Sequence, residues 1–187
     1  MKKITDLSND WILKLKEAEE EYNFQSVLTN KLDNHIGDFT ETTLLEIVLW
    51  KTNRYPDLSK NIINEINDLR KNYSEEKAKK VLLNLLNSKG FDLPMASTVL
   101  RFACPNHLQI IDQRVYRFIM PDEDFLKIPH NIDKKIILYF DYINYLKTTC
   151  ENFNIPFEKS DRLLYQLDKM ENKKIPIITY TKPLSLI

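Results

Sequence analysis

An all-helical fold is predicted by three features of this 187-residue sequence. Apolar residues recur at intervals of three and four along most of it, the spacing that lines one face of a helix. Serine and aspartate stand repeatedly just ahead of such stretches, where their side chains cap helix N-termini. Only two glycines occur, Gly37 and Gly90, which leaves few sites for the tight turns of a many-stranded sandwich or a glycine-rich phosphate loop. This length accommodates one domain, residues 1–187, or two small lobes sharing one core.

Taken in order, Trp11, Leu15 and Ala18 mark the inner stripe of a first helix whose other face is the charged run Lys14 to Glu21. The segment Asp38-Phe-Thr-Glu41 reads as a capping box opening an apolar helix through Trp50, and Pro56 ends that helix or its following turn. A polar amphipathic helix spans roughly 58–72, with Ile62, Ile63, Ile66 and Leu69 inward. Ser74, followed by Glu75 and Glu76, caps a helix running to about Ser88, where acidic residues meet the positive end of the helix dipole. Gly90 stands just after that helix's C-terminus. A further helix runs from Pro94 to Ala103, with Asp92 placed to cap it and Pro105 to stop it. Another begins near Asp112 and ends before Pro121, and two more cover about 133–152 and 158–172.

The composition narrows the function classes. Lysine plus arginine and aspartate plus glutamate number 27 each, so nucleic-acid binding must come from a local basic face rather than from overall charge. The two cysteines, Cys104 and Cys150, cannot supply a four-cysteine cluster, and the three histidines are scattered, so neither a metal nor another cofactor is expected. No apolar run reaches membrane-spanning length and the first residues form no apolar leader, so a cytoplasmic protein is expected; a monomer is expected as well.

The informative stretch is Gly90 to Arg117. It resembles the helix-hairpin-helix DNA glycosylase superfamily, whose members carry a hairpin of the form L-P-G-V-G-x-x-T-A, then an apolar helix, then D-x-x-V-x-R. Gly90 matches the first hairpin glycine, Phe91 the apolar residue between glycines and Ala96 the alanine. Asp112, Val115 and Arg117 match D-x-x-V-x-R, at the family's distance from the hairpin without a gap. The resemblance implies a two-lobed helical fold, a helix-hairpin-helix at about 75–103 and a catalytic segment at 108–120.

It also implies a chemistry. Asp112 would be the catalytic carboxylate, stabilising positive charge on the sugar as an N-glycosidic bond breaks, or orienting water. The partner would be double-stranded DNA with its target base flipped out, because that bond is unreachable inside the stack. Lys89, Gly90, Phe91, Asp92, Arg101 and Arg114 are the expected DNA contacts, with Lys77, Lys79 and Lys80 on the same basic edge. Trp50, Lys51, Asn53 and Arg54 are the expected base-pocket or gap-filling residues. Arg117 is expected to brace the fold, and the aromatic run Tyr139, Phe140, Tyr142 and Tyr145 to pack the core. Two departures carry consequences. Pro94 occupies the place of the Schiff-base lysine of bifunctional members, which implies base removal without coupled strand cleavage. Asp92 replaces the second hairpin glycine, and its charge repels phosphate unless it turns inward to cap the next helix.

The excised base is not legible, and the candidates include uracil, alkylated or oxidised bases, and a hypermodified phage base in an antiviral role. The alternative reading is a helix-hairpin-helix module that binds DNA or a protein partner without catalysis, and a third is a helical interaction protein with no nucleic-acid role.

Overall fold

Among the described residues the helices form two sets, one gathered around a central helix and one around the last of them. The computed structural model describes residues 2–6, 11–22, 26–51, 59–88, 90–123 and 125–177. Among these are nine α-helices and no strand: α1 (Trp11–Glu21), α2 (Ser26–Asp33), α3 (Glu41–Lys51), α4 (Lys60–Lys71), α5 (Glu75–Leu86), α6 (Leu93–Ala103), α7 (Gln113–Ile119), α8 (Ile132–Phe153) and α9 (Ser160–Glu171). The all-helical expectation holds.

Helix α6 is the centre of the first set because nearly every face of it is apolar or small. All its residues except Pro94 are buried, and it packs against α3, α4, α5 and α8. Helix α8 meets this set with one stripe, Tyr139, Phe140, Tyr142, Ile143, Leu146 and Cys150, at the three-and-four spacing of a core-facing helix. Tyr139 and Tyr142 are fully buried, as expected for core packing, while Tyr145 is half-exposed. The second set is α9 with α1 and α7 against it. Buried side chains from Ile4 to Leu167 join both sets in one apolar cluster.

Local capping sets most helix starts. Ser74 accepts from Lys77 N–H at 3.2 Å, Asn131 from Lys134 N–H at 2.9 Å, and Asp112 from Arg114 N–H at 2.8 Å. The capping box expected at Asp38 is displaced. Helix α3 is capped by Thr40, whose Oγ1 accepts from Thr43 N–H at 3.3 Å, while Asp38 pairs with Lys71 at 2.9 Å. Helix α2 was not expected, since its short polar sequence carries little apolar periodicity. Between α5 and α6 the chain reverses through Gly90, whose φ of +95° a residue with a Cβ rarely adopts. No helix among the described residues is long and apolar enough to cross a membrane.

Candidate active site

A cleft of about 250 Å³ lies where the C-terminal end of α3 faces the first turns of α9. Trp50 and Lys51 come from α3, Asp161, Arg162 and Tyr165 from α9, and Tyr22 from just past α1. Ile110 and Asp112 complete it from the extended segment that leads into α7.

Asp112 is the N-cap of α7, and this geometry orients its carboxylate. One oxygen, Oδ1, is fixed by Arg114 N–H, and the other, Oδ2, faces the Lys51 ammonium at 3.9 Å. Both side chains keep 23% exposure, so the pair is open to a ligand. The helix dipole adds a partial positive charge behind the carboxylate.

The approach to Asp112 is clamped on both sides. Tyr139 Oη donates to the Gln109 carbonyl at 3.0 Å and Tyr142 Oη to the Ile110 carbonyl at 2.8 Å. From α6, Ser97 Oγ accepts from Ile111 N–H at 3.2 Å. Burial raises the ionisation of both tyrosines well above the ordinary phenol range, so they remain donors. Tyr142→Phe would leave the Ile110 carbonyl without this donor at a buried position. The expected loss is about 1–3 kcal/mol, read as a lower denaturation midpoint with an unchanged slope; an unchanged midpoint would show that the clamp adds no stability.

Several expected site residues lie elsewhere. Trp50 is a core residue with only an edge at the cleft: it is 5% exposed, donates Nε1–H to Thr29 Oγ1 at 2.6 Å, and meets Phe102 edge-on at 5.5 Å. Lys51 lines the cleft. Asn53 and Arg54 lie outside the described residues, as does Lys89. Arg101, expected to meet DNA, is instead buried at 3% exposure, with its guanidinium held between Asp33 and Asp161. Arg114 is also turned inward, donating to Asp168 at 3.0 Å. Phe91 is buried, which leaves only its backbone for a strand contact. Lys77, Lys79 and Lys80 pair with Asp68, Glu75 and Glu65 across the protein surface. Arg117 braces the fold as expected, fully buried and bidentate on Asp168.

Gly90 turns the chain ahead of α6, and Asp92 does turn to cap that helix. Its Oδ1 accepts from Leu93 N–H at 2.7 Å and from Lys135 Nζ at 2.6 Å. Burial opposes its ionisation, but the Lys135 hydrogen bond, the Leu93 N–H and the charges of Lys135 and His130 outweigh it, holding the carboxyl below its usual range. A depressed carboxylate stabilises the fold above the ordinary carboxylate range, and that contribution is lost as pH falls through it. The cap also occupies amides that a phosphate would otherwise use. Leu93 N–H goes to the Asp92 carboxylate, Ala96 N–H goes to the Asp92 carbonyl at 2.9 Å, and Pro94 has none.

The cleft residues not anticipated are Tyr22, Ile110, Asp161, Arg162 and Tyr165. Those from α9 reach Asp112 only through the packing of α9 on α7, and no local pattern signals it. Asp161 is nearly buried, accepting from Arg162 N–H at 2.8 Å with Arg101 Nε at 3.3 Å from its other oxygen. Burial and then the Asp161 carboxylate raise the ionisation of the Tyr22 hydroxyl far above the phenol range, with Arg162 and Arg101 opposing, so Tyr22 is a neutral donor. Among the described residues no three His, Cys, Asp or Glu side chains converge as metal ligands. No protein-family model matches this chain, and no match was found among curated proteins or solved structures.

Proposed function

We propose that the protein is a monofunctional DNA glycosylase of the helix-hairpin-helix type, removing a damaged or modified base to leave an abasic site. The observation that carries this reading is the placement of Asp112. A carboxylate fixed at one oxygen by a helix amide, with the other facing an aromatic-walled cleft, is what departure of a base from a sugar requires. As the C1′–N bond breaks, its electron pair leaves with the base and positive charge develops on the sugar. Asp112 would stabilise that charge, and water then bonds to C1′ while the proton it loses goes to the departed base, giving a hydroxyl on the sugar and a neutral base. The reversal of chain between α5 and α6 at Gly90, and a cleft between two sets of helices, support the family reading.

Pro94 brings no amine to the hairpin, and Lys51 approaches Asp112 from α3 as the cation that balances it. The expected product is therefore an intact strand bearing an abasic site. The test is an abasic-site assay on duplexes carrying uracil, alkylated, oxidised or glucosylated hydroxymethylcytosine bases, read with and without alkali. Alkali-dependent cleavage of one class supports the proposal, and a borohydride-trapped complex would refute the absence of lyase chemistry.

The hairpin favours weak strand contact, which is the observation on the side of a non-catalytic module. Replacing Asp92 by alanine removes an anion and releases Lys135. Duplex affinity is expected to rise and its salt dependence to steepen, at a stability cost of about 1 kcal/mol for the lost cap. Fluorescence anisotropy at several salt concentrations measures this; unchanged affinity and slope would remove the hairpin from the DNA-binding surface.

A further inference from the structure

The two sides of Asp112 along the chain are held in different ways. On the C-terminal side α7 holds it, with Oδ1 accepting from Arg114 N–H and the carbonyl from Tyr116 N–H, both at 2.8 Å. On the N-terminal side residues 109–111 belong to no helix or strand. No regular ladder of backbone bonds sets their path, so side chains must. Of these bonds, the one nearest Asp112 runs from Ile111 N–H to Ser97 Oγ at 3.2 Å.

Ser97 is fully buried on α6, and the direction of its bonds is fixed by its single hydrogen. A backbone N–H can only donate, so the serine oxygen accepts from Ile111 and sends its own hydrogen to the Pro94 carbonyl at 2.9 Å. Pro94 lies in the first turn of α6, just after the reversal of chain at Gly90. That turn is tied in its place to α8 through Asp92 and Lys135 at 2.6 Å. One hydroxyl therefore joins the start of α6 to the residue that precedes the carboxylate.

Thr98 is the natural comparison. Its Oγ1 donates to the same Pro94 carbonyl at 2.8 Å and it is equally buried. Among the described residues it makes no hydrogen bond to residues 109–111.

We infer that Ser97 is a positioning residue for base excision, registering Asp112 against the turn of chain that would meet the DNA strand. This rests on the glycosylase reading. Without the hydroxyl, the N–H of the fully buried Ile111 has no acceptor, and the segment shifts to find one. A displacement of about 1 Å at the carboxylate is enough to slow the chemistry by about 10²-fold.

The test measures single-turnover excision and duplex affinity for wild type, Ser97→Ala, Ser97→Cys, Thr98→Val, Asp112→Asn and the Ser97→Ala/Asp112→Asn double variant. Thermal melting of each checks its fold, and the duplexes carry uracil, alkylated, oxidised or glucosylated hydroxymethylcytosine bases. Ser97→Ala should slow excision by about 10²-fold with duplex affinity unchanged. Ser97→Cys keeps the size of the side chain with a poor acceptor, and should be slowed as well. Thr98→Val also loses a buried hydrogen bond, yet should excise at the wild-type rate. In the Asp112→Asn background Ser97→Ala should slow residual excision no further, because its effect runs through the carboxylate. Wild-type rates in both Ser97 variants, an equal loss in Thr98→Val, or a loss that multiplies with that of Asp112→Asn would each overturn this inference and leave the glycosylase reading standing. No abasic product from wild type on any duplex would overturn the glycosylase reading, and this inference with it.

Discussion

Asp112→Asn should abolish most base excision while leaving the fold intact, with the rate of abasic-site formation falling by about 10²–10³ as for loss of one preorganised charge-stabilising group. The separation of effects follows from the cap that Asp112 forms and from the catalytic role proposed for it. As N-cap of α7 it needs only an acceptor oxygen for Arg114 N–H, and asparagine caps a helix about as well as aspartate. As stabiliser of a developing cation it needs a full negative charge, which asparagine lacks. The substitution also leaves the Lys51 ammonium without its anion, adding a positive charge where the transition state would place another. Single-turnover kinetics paired with thermal melting separate the two roles. A variant that melts like wild type and still excises at the wild-type rate would reduce Asp112 to a cap.

Asp168→Ala should be the most destabilising single change in the second set of helices. Asp168 is fully buried on α9. Its Oδ1 accepts from Arg117 Nε at 2.9 Å and Asn172 Nδ2 at 2.9 Å, and its Oδ2 from Arg117 Nη2 at 2.7 Å and Arg114 Nη1 at 3.0 Å. Removing it leaves the buried Arg117 guanidinium without a counter-ion, a loss on the order of 3–5 kcal/mol for a broken buried pair. For a chain of this length that corresponds to a drop of roughly 10 °C in Tm. Arg117→Met combined with Asp168→Leu should recover much of the loss, because replacing both charges by apolar groups removes the unpaired ion rather than creating one. A shift of a degree or less in Asp168→Ala would mean the network adds nothing to stability.

The parts of this structure that were legible in the sequence are those decided within a few residues. Ser74, Asp92 and Asp112 each cap the helix they precede because a short side-chain acceptor and the amides it serves are chain neighbours. The apolar stripes of α4, α5 and α8 reveal their buried faces for the same reason. Even so, two acceptors close together defeated the reading at Asp38 and Thr40, where only the packed structure selects Thr40 as the cap. Arg101 shows the limit more sharply. Nothing adjacent to it distinguishes a surface cation from one enclosed by Asp33 and Asp161, which lie 68 and 60 positions away in the chain. The cleft divides along the same line. Asp112 and Lys51 could be singled out from local segments, whereas Tyr22, Arg162 and Tyr165 join them only because α9 packs against both α1 and α7.

The clamp on residues 109–111 also separates what can vary from what cannot. Its three anchors, Ser97, Tyr139 and Tyr142, belong to α6 and α8, while the side chains opposite Asp112 belong to α3 and α9. Evolution or a protein engineer can therefore exchange Lys51, Arg162 or Tyr165 to admit a different guest without disturbing the bonds that aim the carboxylate. On the proposed reading the scaffold is modular in this sense, with the carboxylate's support drawn from α6 and α8 and the opposite wall of the cleft from α3 and α9.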